Sequence, residues 1–202
     1  DGKRNDIGAT MDAYSAAYLG STEVYGERIA PFGADALTVN GYLGTDGIEP
    51  ALKTGGSIFV LVKTSNKSSG ELQDRRLCDG KTIYETMGDM CEKWGEKYMG
   101  SYGYSAVGAV VGATYPAMLA EMREKLPHTF FLVPGYGAQG GGAEGVAKGF
   151  DENGLGAIVN SSRAIMCAYK KEGCDEHDYA GAARREALRM KEDITSHIPA
   201  IK

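Results

Sequence analysis

The chain has 202 residues, 43% of them hydrophobic and 24% charged, with a formal net charge of −5. That length supports one sizeable core or a small two-domain protein of ordinary globular composition. The negative balance excludes non-specific nucleic-acid binding, which needs a surplus of Lys and Arg, while a nucleotide ligand needs only one local positive site.

The first residues, DGKRNDIG, read as the end of a strand entering a turn, so an N-terminal portion is expected to be absent or to lie on another polypeptide. A helix is predicted over residues 10–19, then a short buried strand at 34–40 (ADALTVN) and a helix over 43–53. SIFVLVKTS at 57–65 is a clear strand, followed by a polar, loop-like stretch at 68–81 and a helix from 82 to about 98. Strands at 106–114, 129–133 and 157–160 then alternate with helices at 116–125 and 143–153. Pro116 suits a first helical turn, where its missing N–H is no loss. A charged amphipathic helix closes the chain at about 178–198, with Arg184, Arg185 and Arg189 on a solvated face.

Repeated β-then-α units with continuous apolar strands indicate an α/β protein with a parallel sheet covered by helices. Five complete strands plus the end of one more are too few for a closed (β/α)₈ TIM barrel. The expectation is a single domain, residues 1–202, forming an incomplete barrel that lacks roughly its first two to three strands. A doubly wound open sheet is the alternative. Polar loops after nearly every strand, around a ring rather than at one switch point, favour the barrel.

LVPGYGAQGG at 132–141 and AIVNSSRAI at 157–165 each run from an apolar strand into a polar or glycine-rich loop. Glycines there let backbone N–H groups approach an anion, and Arg163 supplies a planar, permanently charged fork suited to phosphate. In (β/α)₈ barrels the loops after the last two strands commonly bind phosphate. Pro134, Gln139 and Arg163 are the candidate phosphate residues. At the other end of the chain, Asp1 and Lys3 stand two apart on an extended segment and share a side, while Asp6 lies beyond it. A solvated charged turn is an equally good reading of those three residues alone.

Other residues carry less. His128, His177 and His197 share no ligand spacing, Trp94 is expected to pack against the outside of the sheet, and Tyr98, Tyr102 and Tyr104 belong to a loop packing on it. Cys78, Cys91, Cys167 and Cys174 show no CxxC or zinc spacing, and nothing indicates a Cys167–Cys174 disulfide, so reduced thiols in a cytoplasmic protein are expected. No apolar run reaches the length of a membrane span and no signal-peptide pattern is present, so no membrane association is expected.

DGKRNDIGAT, FVLVKTSNKSSGELQD, VVGATYP, LVPGYGAQGG and IVNSSRAI, in this order, resemble the orotidine 5′-phosphate decarboxylase family, closest to its longer bacterial branch. The resemblance runs from Asp1 to about Tyr169. It implies a (β/α)₈ barrel that dimerises with its barrel mouths facing. It also implies conversion of orotidine 5′-monophosphate (OMP) to uridine 5′-monophosphate (UMP) and carbon dioxide, with no metal or organic cofactor. Carried over by motif, Lys3 would protonate C6 of the pyrimidine and Asp1 would face the substrate carboxylate. Asp6, with Ile7 and Thr10, would reach across the dimer to the partner's site and its ribose. Ser65 and Asn66 would recognise the pyrimidine ring, and Gln139 and Arg163 the phosphate, under the loop that begins at Pro134.

The family's site also needs a Lys and an Asp from earlier strands that these residues do not contain, and Lys67 stands where its longer branch commonly has proline. This polypeptide alone is therefore expected to be inactive until a separate N-terminal segment completes the barrel. A metal-dependent sugar-phosphate lyase of the same barrel suprafamily and a non-catalytic nucleotide-phosphate-binding fragment are the two other readings.

Overall fold

The computed structural model describes residues 1–137, 141–173 and 176–201. Residues 1–5 run extended, and Arg4 forms an isolated parallel bridge with Val39. Helix α1 (Gly8–Tyr18) leads into a small antiparallel hairpin, β1 (Thr22–Val24) and β2 (Glu27–Ile29). Strand β3 (Ala36–Val39) follows, then two 3-10 turns and the short α2 (Glu49–Leu52). Strand β4 (Ser57–Lys63) ends in a polar excursion that contains the 3-10 helix Lys67–Glu71 and returns through α3 (Ile83–Gly95). Three further units follow: β5 (Val107–Val111) with α4 (Pro116–Lys125), β6 (Phe131–Pro134) with α5 (Ala143–Ala147), and β7 (Ala157–Asn160) with α6 (Ser162–Met166) and α7 (Ala168–Glu172). Helix α8 (Tyr179–Thr195) closes the described chain.

Strands β3 to β7 form one parallel sheet in sequence order, curved as a half-barrel. Successive side chains on a strand point to opposite faces, and here the two faces have different fates. On the helix-covered side Val39, Ile58, Val60, Val107, Ala109, Phe131 and Val133 are fully buried. Burying a side chain of this size stabilises by roughly 1.5–3 kcal/mol, so this layer holds the sheet to its helices. Their neighbours Thr38, Phe59, Leu61, Val110 and Leu132 line an open concavity instead. At the far edge β7 leaves Ile158 53% exposed.

Local signals explain the helices that match expectation. The Thr82 hydroxyl oxygen accepts the Glu85 N–H at the start of α3, and the Glu85 carboxylate accepts the Thr82 N–H, a reciprocal capping box. Pro116 opens α4 as its first residue. Elsewhere the reading changes. The helix expected over 43–53 is broken by Gly44, whose φ of 74° no helix accommodates, so only Glu49–Leu52 is α-helical. The helix expected to 153 stops at Ala147. The hairpin was not anticipated, and neither were the two short helices after β7.

Candidate functional site

Parallel sheets covered by helices collect their functional groups at the carboxyl ends of the strands. Those ends here border a cavity of about 750 Å³ lined by Asp1, Lys3, Thr38, Thr64, Ser65, Asn66, Gln73, Pro134, Asn160 and Ser162, with Phe59, Leu61 and Leu132 as its apolar floor. A smaller recess of about 100 Å³ adjoins it, lined by Pro134, Gly135, Tyr136, Asn160, Ser161, Ser162 and Arg163. Pro134, Asn160 and Ser162 line both, so the two spaces adjoin.

At one end Lys3 Nζ lies 2.6 Å from both carboxylate oxygens of Asp1. Thr38 locks the pair. Its hydroxyl accepts from the Lys3 backbone N–H at 3.1 Å and donates to Asp1 Oδ1 at 2.7 Å. Lys3 has φ of 48°, a left-handed conformation that costs a non-glycine residue on the order of 1–3 kcal/mol and persists where the surroundings over-determine it. With side chains 50% and 66% exposed, the ion pair adds only about 0–1 kcal/mol of stability. Strain without a matching gain in stability points to a chemical use for the pair.

The middle of the cavity is built by the end of β4. Gly112, just past β5, lies so close that a Cβ there would sit 2.9 Å from the Ser65 Cβ; only glycine lets Ser65 take its place. The Gln73 side chain reaches back to accept the Thr64 N–H at 2.9 Å and to donate to Thr64 Oγ1 at 2.8 Å. Beneath this wall Lys63 is 1% exposed, its ammonium 2.6 Å from Asp74 Oδ1 and 3.2 Å from Ser69 Oγ, with the rings of Tyr84 and Tyr115 at 5.7 and 5.1 Å. A buried cation needs such compensation.

At the opposite end the chain leaves β6 through Gly135, with φ of 104°, which only glycine adopts freely. Ser161 Oγ donates to the Tyr136 carbonyl at 3.1 Å, and the Tyr136 hydroxyl donates to Asp193 of α8. Burial, then the Asp193 carboxylate, raise the Tyr136 pKa, so the phenol stays protonated. Arg163 is exposed beside the recess, and its guanidinium has no hydrogen-bond or ion-pair partner among the described residues. Such an uncommitted cation suits an anion.

Of the residues singled out from sequence, Asp1, Lys3, Ser65, Asn66 and Pro134 line the large cavity, and Arg163 with Pro134 lines the recess. Asp6 and Thr10 line neither; the Asp6 carboxylate accepts the N–H of Ile7 at 2.8 Å and Thr10 is exposed on α1. Gln139 falls outside the described residues, as does Cys174. Thr64, Gln73 and Asn160 were missed. Thr64 and Gln73 stand inside FVLVKTSNKSSGELQD and Asn160 inside IVNSSRAI, but nothing in their spacing singled them out. Among the described residues no three His, Cys, Asp or Glu side chains gather as a metal site, and no described helix is long and apolar enough to cross a membrane.

These features define an α/β protein of the barrel class, with a Lys–Asp pair in the cavity at the strand ends and an exposed arginine in the adjoining recess. Residues 1–173 match the family described as orotidine 5′-phosphate decarboxylase / HUMPS, and the chain belongs to that family. It is similar to the orotidine 5′-phosphate decarboxylase of Rhodopirellula baltica, at 48% identity over 96% of this chain and 66% of the relative. That of Caldicellulosiruptor bescii is 46% identical, over 98% and 65%. Among solved structures, Leishmania donovani OMP decarboxylase superposes with a TM-score of 0.73 at 31% identity, over 96% of this chain and 67% of that one. The chain thus spans just under two thirds of the length of these two curated relatives.

Proposed function

We propose that this chain, joined to the strands that close its sheet, converts OMP to UMP and carbon dioxide. The carrying observation is the Lys3 ammonium, held 2.6 Å from Asp1 in a cavity that adjoins the recess lined by Arg163. In this reading the phosphate occupies the recess beside Arg163, the uracil ring rests against Ser65 and Asn66, and C6 with its carboxylate faces Asp1 and Lys3.

The chemistry follows from charge. Breaking the C6–carboxylate bond releases carbon dioxide and leaves the electron pair on C6. The Lys3 ammonium stabilises that pair as it forms and then delivers its proton to C6, giving UMP and a neutral amine. Asp1 holds the ammonium in place through both oxygens and confronts the substrate carboxylate. Two like charges about 4 Å apart repel by roughly 4 kcal/mol at an effective dielectric near 20, an energy relieved when carbon dioxide departs. Binding energy from the phosphate, remote from the reacting carbon, holds the ring against this repulsion.

Two further parts belong to the proposal. The sheet ends at residues 1–5 on one side and at β7 on the other, and open edges are a liability. Along β7 an apolar groove of about 440 Å³, lined by Phe150, Ile158, Ile165 and Met190, is suited to further barrel elements. We assign to those elements the remaining Lys and Asp of the charged site. Asp6, outside the cavity next to the 55% exposed Ile7, is assigned to the site of a second copy in a homodimer. No observation favours the sugar-phosphate lyase or the non-catalytic fragment.

The test is loss of OMP absorbance with the full-length protein and its Lys3→Ala variant. Turnover that vanishes in the variant supports the reading; equal turnover in both, or none in the parent, overturns it.

A further inference from the structure

Gln73 is fixed from three sides. Its N–H donates to the Ser69 carbonyl at 2.9 Å, its carbonyl accepts the Tyr84 N–H at 3.1 Å, and its neighbour Asp74 is tied to the buried Lys63. Its side chain starts a relay to Thr64 and on to Asn66. The Thr64 backbone N–H can only donate, so it requires Gln73 Oε1, which accepts it at 2.9 Å. The planar amide then turns Nε2 to Thr64 Oγ1, and Nε2 can only donate, at 2.8 Å. The hydroxyl has one proton left, which goes to Asn66 Oδ1 at 2.6 Å. The oxygen of Asn66 is thereby engaged. Its Nδ2 enters no hydrogen bond among the described residues and remains for a ligand in the cavity that Asn66 lines.

We infer that Gln73 is a specificity-determining positioning residue: through Thr64 it holds Asn66 as a hydrogen-bond donor, so the cavity takes a uracil-type ring and rejects a cytosine-type one. The inference rests on the pyrimidine-nucleotide reading above. The two rings differ at position 4, where uracil and orotate carry a carbonyl acceptor and cytosine carries an amino donor. Against a locked donor the carbonyl forms a hydrogen bond, whereas the amino group meets another donor and both are left unpaired. A site whose polar groups go unpaired with the wrong ligand discriminates far better than one reading shape alone. If Asn66 were free to turn its amide over, it would serve either ring.

The experiment is calorimetric titration of the full-length protein with UMP and with CMP, for the parent, Gln73→Glu and Thr64→Val. Gln73→Glu keeps the acceptor for the Thr64 N–H but removes the donor, so the Thr64 proton turns back to the carboxylate and Asn66 is released. Thr64→Val breaks the relay at the hydroxyl with little change of shape, and serves if Gln73→Glu does not fold. The new charge of Glu acts equally on the two nucleotides, which carry the same charge. The parent is expected to prefer UMP by about 10-fold or more, and each variant to lose about 10-fold of that preference. A merely structural role would weaken both nucleotides together; an unchanged UMP-to-CMP ratio in a folded variant therefore overturns the relay and leaves the decarboxylase reading intact. A parent that binds neither nucleotide overturns that reading and the relay with it.

Discussion

Asp74→Ala is the sharpest perturbation of the wall that carries Ser65 and Asn66. Lys63 is 1% exposed and Asp74, at 2.6 Å, is its only ionic partner among the described residues. Removing one member of a buried pair typically costs about 3–5 kcal/mol, because the surviving charge stays desolvated. Asp74 is itself 40% exposed, so water can replace part of what it gives; Ser69 and the two tyrosine rings also remain. The lower end of that range, about 3 kcal/mol, is therefore expected. In a protein of this size 1 kcal/mol corresponds to roughly 2–4 °C in Tm, so the variant should melt about 6–12 °C lower. Lys63→Met removes the charge but keeps the stem, and replacing both members of a buried pair by apolar groups is often neutral. Thermal unfolding of the parent, both single variants and the Lys63→Met/Asp74→Ala double variant closes the cycle. The double variant should be markedly more stable than Asp74→Ala alone. If the two melt together, the buried ammonium is not what Asp74 satisfies, and the reasoning fails.

Three other outcomes are expected. Gly112→Ala puts a methyl 2.9 Å from the Ser65 Cβ and should displace Ser65, lowering UMP affinity by about 10-fold, read by calorimetry, and costing about 1–3 kcal/mol of stability. Arg163→Ala should raise the KM for OMP by at least about 10-fold while leaving the slow turnover of orotidine, which lacks the phosphate, unchanged; equal losses on both substrates would count against the phosphate assignment. The Glu85 carboxyl is held down at about 2, against an ordinary 4.5, first by the Lys125 ammonium and then by the Thr82 N–H and hydroxyl. A depressed carboxylate stabilises the fold fully above its ordinary value and loses that contribution as pH falls through the folded one. The stability advantage of the parent over Glu85→Gln should thus be constant near neutrality, shrink between about pH 4.5 and 2 and vanish below; urea titrations across that range would check it.

What the sequence made legible was whatever depends on local pattern. SIFVLVK and VGAVV are continuous apolar runs because one face meets helices and the other meets the cavity floor, and such runs announce parallel strands. Five strands in sequential order, with residues 1–5 lying along β3, agree with the strand count read from the sequence. The hairpin was hidden because its turn is Tyr25–Gly26 rather than Asn-Gly, and all six strand residues are exposed, so no alternation marks them. Within the site, Asp1, Lys3 and Arg163 were readable because residues of that chemistry cluster at strand ends. Lys63 was not. A lysine closing a strand reads as solvated, and what buries it arrives from Asp74, Tyr84 and Tyr115, three places with no local tie to it. Gln73 was invisible for the same reason: its meaning lies in which atom of Thr64 it meets, and periodicity carries nothing about that.

The account stands on one nucleotide spanning the cavity from Lys3 to Arg163. A crystal structure of the full-length protein with UMP tests it most directly. The account places C6 within hydrogen-bond reach of Lys3 Nζ, about 3 Å, and the phosphate on the Arg163 guanidinium. A nucleotide bound in the reverse direction, or with its ring away from Lys3, would contradict it.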